Sequence, residues 1–258
     1  MMSGSKGNTM TLLRRMLCAA VLIFAALPQL AAAADAGSVT MLVGRGTALS
    51  PDGNVRALQK GDPVFTGELV NTGTNSFLNL KFSDGGLVTL RPNSRFEISD
   101  YRYDGGGAAN APATPAAATS ATPPQASTGR AFFRLLKGGF RAVTGLIGKS
   151  DRNDYAAVTP VATIGIRGTD YLAVLCDLAC QADPVVRGDL PEGASAAGAS
   201  IFGVIEGRIL LTTPQGDTQE LGADEYAIVL ADGRIVLLSQ QPRFLRVDPI
   251  PNPESCVE

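Results

Sequence analysis

Short apolar runs broken by turn residues recur along this chain and limit the folds it can reach. Phe77-Leu78-Asn79-Leu80-Lys81-Phe82 is followed by Ser83-Asp84-Gly85-Gly86 and then by Leu87-Val88-Thr89-Leu90. An apolar run, an Asp-Gly turn and a second apolar run predict a β-hairpin. The same grammar returns in Tyr226–Leu230, Ala231-Asp232-Gly233 and Ile235–Leu238. Turn signals also stand at Pro51-Asp52-Gly53 and Pro214-Gln215-Gly216. Short runs rich in Val, Ile, Leu and Thr argue for an all-β architecture. The segment Ala131 to Ile147 is cut by Gly138-Gly139 and Gly145, so Phe132 to Leu136 reads as a strand or a single helical turn.

A weak repeat sharpens the expectation. Val43-Gly44-Arg45-Gly46, Leu136-Lys137-Gly138-Gly139 and Val204-Ile205-Glu206-Gly207 each run from apolar residues through glycine into a new strand. The first and third continue alike: Pro51-Asp52-Gly53 precedes Leu58 and Asp62, and Pro214-Gln215-Gly216 precedes Leu221 and Asp224. Repeated short β units that bury their faces on one another predict a β-solenoid or roll. A two-sheet β-sandwich is the alternative.

The chain divides by composition. Lys6, Arg14 and Arg15 precede a twelve-residue apolar run, Met16 to Leu27, and Ala32-Ala33-Ala34 follows Pro28. Residues 1–34 therefore read as a secretory signal peptide, the run being too short for a membrane span. Met16-Leu17 fits a twin-arginine signal poorly, Cys18 lies too early for a lipoprotein, and an uncleaved anchor stays open. Residues 38–175 form the main β domain, 200–247 a C-terminal β repeat continuing the same scaffold, and 248–258 a tail. Within the first, residues 104–128 are dominated by Ala, Pro, Gly, Thr and Ser and read as a disordered insertion. Gly188 to Ser200 reads as a shorter loop. Arg187-Gly188-Asp189 before it matches an adhesion tripeptide, which chance explains better.

Charge and composition exclude several activities. The 22 basic residues include three in the leader, which has no acidic residue, so the exported chain carries 19 basic against 24 acidic side chains, a net charge of −5. Nucleic-acid binding needs clustered Lys and Arg that are not present. No segment after the leader is long and apolar enough to cross a membrane. The chain has no His, which removes His general bases, Ser-His-Asp and Cys-His arrangements, and His-ligated zinc. Cys176 and Cys180, with three residues between them, predict a local disulfide in an oxidising compartment. Along one straight strand their Cα atoms would lie about 13 Å apart, and a disulfide needs roughly 4.4–6.8 Å. The chain must therefore turn at Asp177-Leu178-Ala179. Cys256 is left over.

The least ordinary stretch is Thr159-Pro160-Val161-Ala162-Thr163-Ile164-Gly165-Ile166-Arg167-Gly168-Thr169. It lacks the glycine set of a dinucleotide loop and the Gly-Lys-Ser/Thr of a nucleoside-triphosphate loop. Strand geometry is the favoured reading: Gly165 and Gly168 permit close backbone approach or a bulge, and Ile164 and Ile166 share a face opposite Gly165 and Arg167. A ligand-binding role is the alternative. The Arg167 guanidinium would seek a carboxylate, with Asp62 and Asp84 as first partners and Asp170 as the local one. Asp62, Glu68, Asp84, Glu97 and Asp100 show no spacing that selects a hydrolytic pair, and no calcium loop is present. Ser76, Ser83 and Ser94 have no base beside them. No cofactor, metal or catalytic residue is expected.

Several phrases in order resemble the FecR domain family of extracytoplasmic bacterial proteins. They are Leu58-Gln59-Lys60-Gly61-Asp62, Asn71-Thr72-Gly73-Thr74-Asn75-Ser76, Phe82-Ser83-Asp84-Gly85-Gly86, Leu90-Arg91-Pro92-Asn93-Ser94, Leu136-Lys137-Gly138-Gly139 and Val158 to Thr169. The family's best-known members regulate iron-uptake sigma factors across the inner membrane, through a cytoplasmic anti-sigma domain and a membrane helix. Only a signal peptide stands in that place here, so sigma-factor regulation does not carry over. The resemblance implies a non-enzymatic periplasmic module for binding or signalling-associated interaction, with an envelope protein or glycan as partner. A structural or assembly role at the envelope is second, and a hydrolase third.

Overall fold

The computed structural model describes residues 34–105, 129–166 and 168–247; the leader, most of the expected insertion, Arg167 and the tail with Cys256 lie outside them. Along the chain run β1 (Asp35–Val43), β2 (Gly46–Leu49), β3 (Val55–Ala57), β4 (Pro63–Phe65), β5 (Leu69–Thr72) and β6 (Phe77–Phe82). Then follow β7 (Leu87–Leu90), β8 (Arg95–Tyr103), β9 (Gly129–Lys137), β10 (Gly139–Val143), helix α1 (Leu146–Ser150), β11 (Tyr155–Val158), β12 (Thr163–Ile166) and β13 (Asp170–Leu175). Helices α2 (Leu178–Ala182) and α3 (Pro184–Asp189) precede β14 (Ser200–Glu206), β15 (Arg208–Thr212), β16 (Thr218–Gly222), β17 (Tyr226–Val229), β18 (Ile235–Leu238) and α4 (Arg243–Val247).

These strands form two open nine-stranded sheets. Sheet A has the order β18-β17-β14-β13-β10-β7-β6-β1-β4, and sheet B the order β16-β15-β12-β11-β9-β8-β5-β2-β3. The two-sheet sandwich fits this arrangement. A solenoid would stack parallel coils, yet among the described ladders only β9–β11 is parallel. The hairpins read from the sequence appear as β6–β7 and β17–β18. Phe132 to Leu136 belongs to strand β9 rather than a helical turn, because Ala131, Phe133 and Leu135 point inward at a period of two.

Aromatic rings tie the sheets together across the core. Phe82 on β6 stands 5.1 Å from Tyr101 and 5.0 Å from Phe133, both of sheet B. Phe96 on β8 meets Phe140 on β10 at 5.3 Å. Tyr155 of sheet B and Tyr171 of sheet A share a buried hydroxyl–hydroxyl hydrogen bond of 2.8 Å. Each such ring pair is worth about 0.5–1.5 kcal/mol beyond its area.

Each copy of the weak repeat is a corner at which the chain changes sheets. Gly44 lies between β1 of sheet A and β2 of sheet B, Gly138 between β9 and β10, and Gly207 between β14 and β15. Their φ angles are 79°, 76° and 81°, where a Cβ is disfavoured. Two corners are pinned by serines. Ser76 Oγ accepts from the Arg45 N–H at 2.9 Å, and Ser94 Oγ accepts from the Gly139 N–H at 2.9 Å. Each serine follows an asparagine in the left-handed region, Asn75 at φ 53° and Asn93 at φ 56°. Thus the phrases ending Asn75-Ser76 and Asn93-Ser94 are clamps on sheet-crossing corners.

A second core, not foreseen from the sequence, covers part of the outer face of sheet A. Leu172, Val174, Ile201, Tyr226 and Ile228 project outward there and pack with Val185, Val186 and Leu245 of the helices. Asp177 caps α2 through the Cys180 N–H at 3.0 Å. Asp183 caps α3 through the Val185 N–H at 2.9 Å and holds the Phe244 N–H of α4 at 2.9 Å. Helices of five or six residues show no full hydrophobic period, which hides them in a sequence. The Asp189 carboxylate accepts from the N–H and Oγ of Ser239 at 2.7 and 2.9 Å. In Arg187-Gly188-Asp189 that carboxylate thus fastens α3 to the end of β18.

Candidate binding face

The two sheets differ in what covers them. Helices pack over β13, β14 and β17 of sheet A. The outer face of sheet B between β9 and β16 presents Phe132, Arg134, Leu136, Thr163, Gly165, Arg208, Leu210 and Glu220, none of them buried. Strand register sets them in rows. Phe132 pairs with Ala156, Gly165 with Leu210 and Leu210 with Glu220. The register of β11 with β12 puts Ala156 beside Gly165. Small residues at the middle of this row, between Phe132 and Leu210, make a trough.

One end of the trough deepens to about 390 Å³, lined by Asp151, Asn153, Gly165, Arg208, Leu210 and Glu220 among others. Leu210 is 45% exposed. Arg208 donates to Glu220 at 3.1 Å. Beyond the Asp151–Asp154 turn a second depression of about 250 Å³ lies among Asp100, Arg102, Gly129, Arg130 and Asp154. Arg130 donates to Asp100 at 3.2 Å and stands 5.6 Å over the Phe132 ring. The face offers carboxylates, guanidinium groups, an amide and apolar side chains for recognition.

The unusual stretch frames this groove. Ile164 and Ile166 are buried and Gly165 faces outward, as strand alternation requires. The expected bulge or close backbone approach at Gly165 is not found: β12 keeps regular register, and a Cβ there would meet nothing nearer than the Leu210 carbonyl at 3.9 Å. Its bareness instead leaves the groove floor open. Gly168 has φ 59° and turns the chain into β13. Thr169 is the fastener. Its N–H donates to Thr144 Oγ1 at 2.8 Å and its Oγ1 donates to the Arg208 carbonyl at 2.9 Å, fixing one groove wall.

The carboxylates proposed as partners of Arg167, itself outside the described residues, have other tasks. Asp62 accepts from the Gln59 N–H at 2.8 Å and closes its own turn. Asp84 is buried and accepts from the N–H groups of Gly86 and Ile147, at 3.0 and 3.2 Å, and from the Tyr101 hydroxyl at 3.1 Å. It therefore starts α1 from inside the core. Asp170 takes the Arg141 guanidinium through two hydrogen bonds of 2.9 and 2.5 Å. Cys176 and Cys180 are joined in a disulfide with Cα atoms 5.2 Å apart. The turn that brings them together is the capped start of α2 rather than an irregular loop. The sequence reading did not select Arg208, Leu210 and Glu220. Alternation in β15 and β16 places them outside, but only the ladder to β12 shows what they surround.

The model of the FecR protein family matches residues 68–210. Among solved structures, the chain is similar to one described as a cell surface anchoring domain, at 37% identity and TM-score 0.25, with 26% of this chain and 88% of that one covered. It is also similar to two structures of a proposed anti-sigma factor from Parabacteroides distasonis, each at 11% identity and TM-score 0.38, over 66% of this chain and 58% of that one. No curated protein matches. The family match takes in strands β6 to β14, the corners at Gly138 and Gly207 and the stretch that frames the groove, more than half of the sequence, and the chain belongs to the FecR protein family.

Proposed function

We propose that this protein is a non-enzymatic, exported FecR-type module that works by binding another envelope protein in a signalling-associated interaction. The observation that carries this reading is the groove on sheet B. It is an open, mixed polar and apolar depression on a rigid β face, walled by Arg208, Leu210 and Glu220. A recognition surface of this make-up combines an apolar centre with a charged rim. Export is supported by the leader sequence and by the Cys176–Cys180 disulfide, a bond that persists in oxidising compartments.

The test uses the chain from residue 35 onward as bait in envelope extracts, beside Leu210→Arg. Leu210 is exposed, so the variant should melt with the parent. A protein retained by the parent and lost with Leu210→Arg is the expected result. Equal capture by both baits would remove the groove from the interaction.

A further inference from the structure

Two polar residues are buried where strand alternation points them outward. On β6, Leu78 and Leu80 enter the core between the sheets, so Asn79 faces away from it; on β7, Val88 and Leu90 enter it, and Thr89 faces away. The two stand side by side, because Asn79 pairs with Thr89. Their neighbours in the same row are Met41 on β1 and Arg141 on β10. Yet in the single chain Asn79 is 2% exposed and Thr89 0%.

The helices of the second core lie to one side of this pair. Their apolar side chains are engaged with β13, β14 and β17, and β10 stands between β13 and β7. Toward β7 they reach through Phe244 of α4, whose ring is 5.9 Å from the Arg91 guanidinium. The Thr89 hydroxyl has no hydrogen-bond partner among the described residues. A hydroxyl shut off from water calls for a partner in whatever covers it. Because this burial belongs to one chain by itself, the cover is a further segment of the same chain.

We propose that the tail, residues 248–258, lies across the outer face of sheet A over β10, β7 and β6, where the Thr89 hydroxyl and the Asn79 amide donate to its main-chain carbonyls. The tail continues directly from α4, and Phe244 already stands beside Arg91 at the end of β7. Neighbouring strands are about 4.8 Å apart and a polyproline chain advances about 3.1 Å per residue, so roughly four residues cross from β10 to β6. The sequence there is Asp248-Pro249-Ile250-Pro251-Asn252-Pro253-Glu254. Proline at every second position removes N–H donors and favours the polyproline conformation, whose carbonyls stay open to a hydroxyl or an amide. The charged residues of the tail, Asp248, Glu254 and Glu258, are all acidic, and the face carries Lys81 and Arg141. The other segments fit less well. The apolar run Met16 to Leu27 has no hydroxyl, amide or charged side chain to offer, and residues 106–128 leave and return on sheet B. This face is on the other sheet from the groove, and its assignment stands independently of the groove.

The test uses the chain from residue 35 onward under native conditions. A glutamate-specific protease cuts after Glu254, and the rate is compared with that of the free peptide 248–258. The tail should be cut at least roughly tenfold more slowly than the peptide, because the population of the released form sets the rate. Thr89→Lys puts a long charged side chain where the tail lies and should raise the rate to that of the peptide. On a face open to water the same substitution changes nothing. The triple variant Pro249→Ser, Pro251→Ser, Pro253→Ser leaves both sheets untouched and should also release the tail, measured against its own free peptide; it decides the matter if Thr89→Lys fails to fold. A parent cut as fast as the peptide overturns the proposal, and so does slow cleavage that neither variant changes. Protection that grows with protein concentration would assign the cover to a second copy and overturn it as well.

Discussion

Arg56 and Glu68 clasp the two sheets at one end of the sandwich. Arg56 projects from β3 at the edge of sheet B, and its guanidinium donates to both Glu68 carboxylate oxygens, at 3.0 and 2.9 Å. The same guanidinium reaches the Pro63 carbonyl of β4, at the edge of sheet A, and lies 5.6 Å over the Phe65 ring. Glu68 is only 2% exposed. Removing Arg56 would leave that carboxylate without its cation, but Arg56 is itself about a third exposed and the Phe65 N–H stays on Glu68, so the loss is about 1–3 kcal/mol. Arg56→Ala should therefore lower the melting temperature sharply. Arg56→Lys should recover part of the loss, because it keeps charge without the planar fork. Equal melting of all three proteins would show that the clasp contributes nothing.

The Ser94 hydroxyl holds the β9–β10 corner by accepting from the Gly139 N–H and donating to the Gly139 carbonyl, both at 2.9 Å. Ser94→Ala leaves the Gly139 N–H buried without its acceptor, while the carbonyl keeps the Arg91 N–H at 2.9 Å; an unmet buried donor costs about 1–3 kcal/mol. Gly138→Ala should cost more, since its Cβ would collide with Ser94 and its φ is 76°. Urea titration of both variants gives the comparison. A milder effect for Gly138→Ala would contradict the corner geometry.

Three buried tyrosines make stability fall in alkali. Burial raises the pKa of Tyr155 and of Tyr171 above the ordinary tyrosine value, and burial together with the nearby Asp84 charge raises that of Tyr101. Below about pH 10 all three are neutral in both folded and unfolded chains, and their effect on pH dependence is nil. Above it the unfolded chain ionises first, so stability drops by up to about 1.4 kcal/mol per pH unit for each. Tyr155→Phe should flatten the alkaline slope, while lowering stability at neutral pH through the lost bond to Tyr171. An unchanged slope would place the Tyr155 hydroxyl in solvent.

Tyr103 and Gly129 face each other in the β8–β9 ladder, so the chain leaves and returns at one point. Replacing residues 106–128 by a short Gly-Ser link should preserve the melting transition, because loop closure changes by only about 0.6 kcal/mol per doubling of length. Loss of cooperative unfolding in calorimetry would show that the segment packs.

Much of the fold was legible because strand signals are local. The Asp84-Gly85 and Asp232-Gly233 turns, the apolar run Phe77–Phe82 and the corner glycines depend on neighbours in sequence, and these yielded the hairpins and the repeated unit. What the units build was decided by pairing across the chain. Gly44, Gly138 and Gly207 look alike whether strands coil into a solenoid or cross between two sheets; the antiparallel ladders chose the sandwich. Asp84 looked like a turn residue and a partner for Arg167, yet the folded chain closes Tyr101 and the start of α1 over it. Gly165 likewise declared a strand but not a groove, because Arg208 and Glu220 reach it only through the β12–β15–β16 ladder. A sequence by itself specifies period, turn and cap, which are set within a few residues; the charge partners and the open face arise when distant strands come together, and only the tertiary structure decides them.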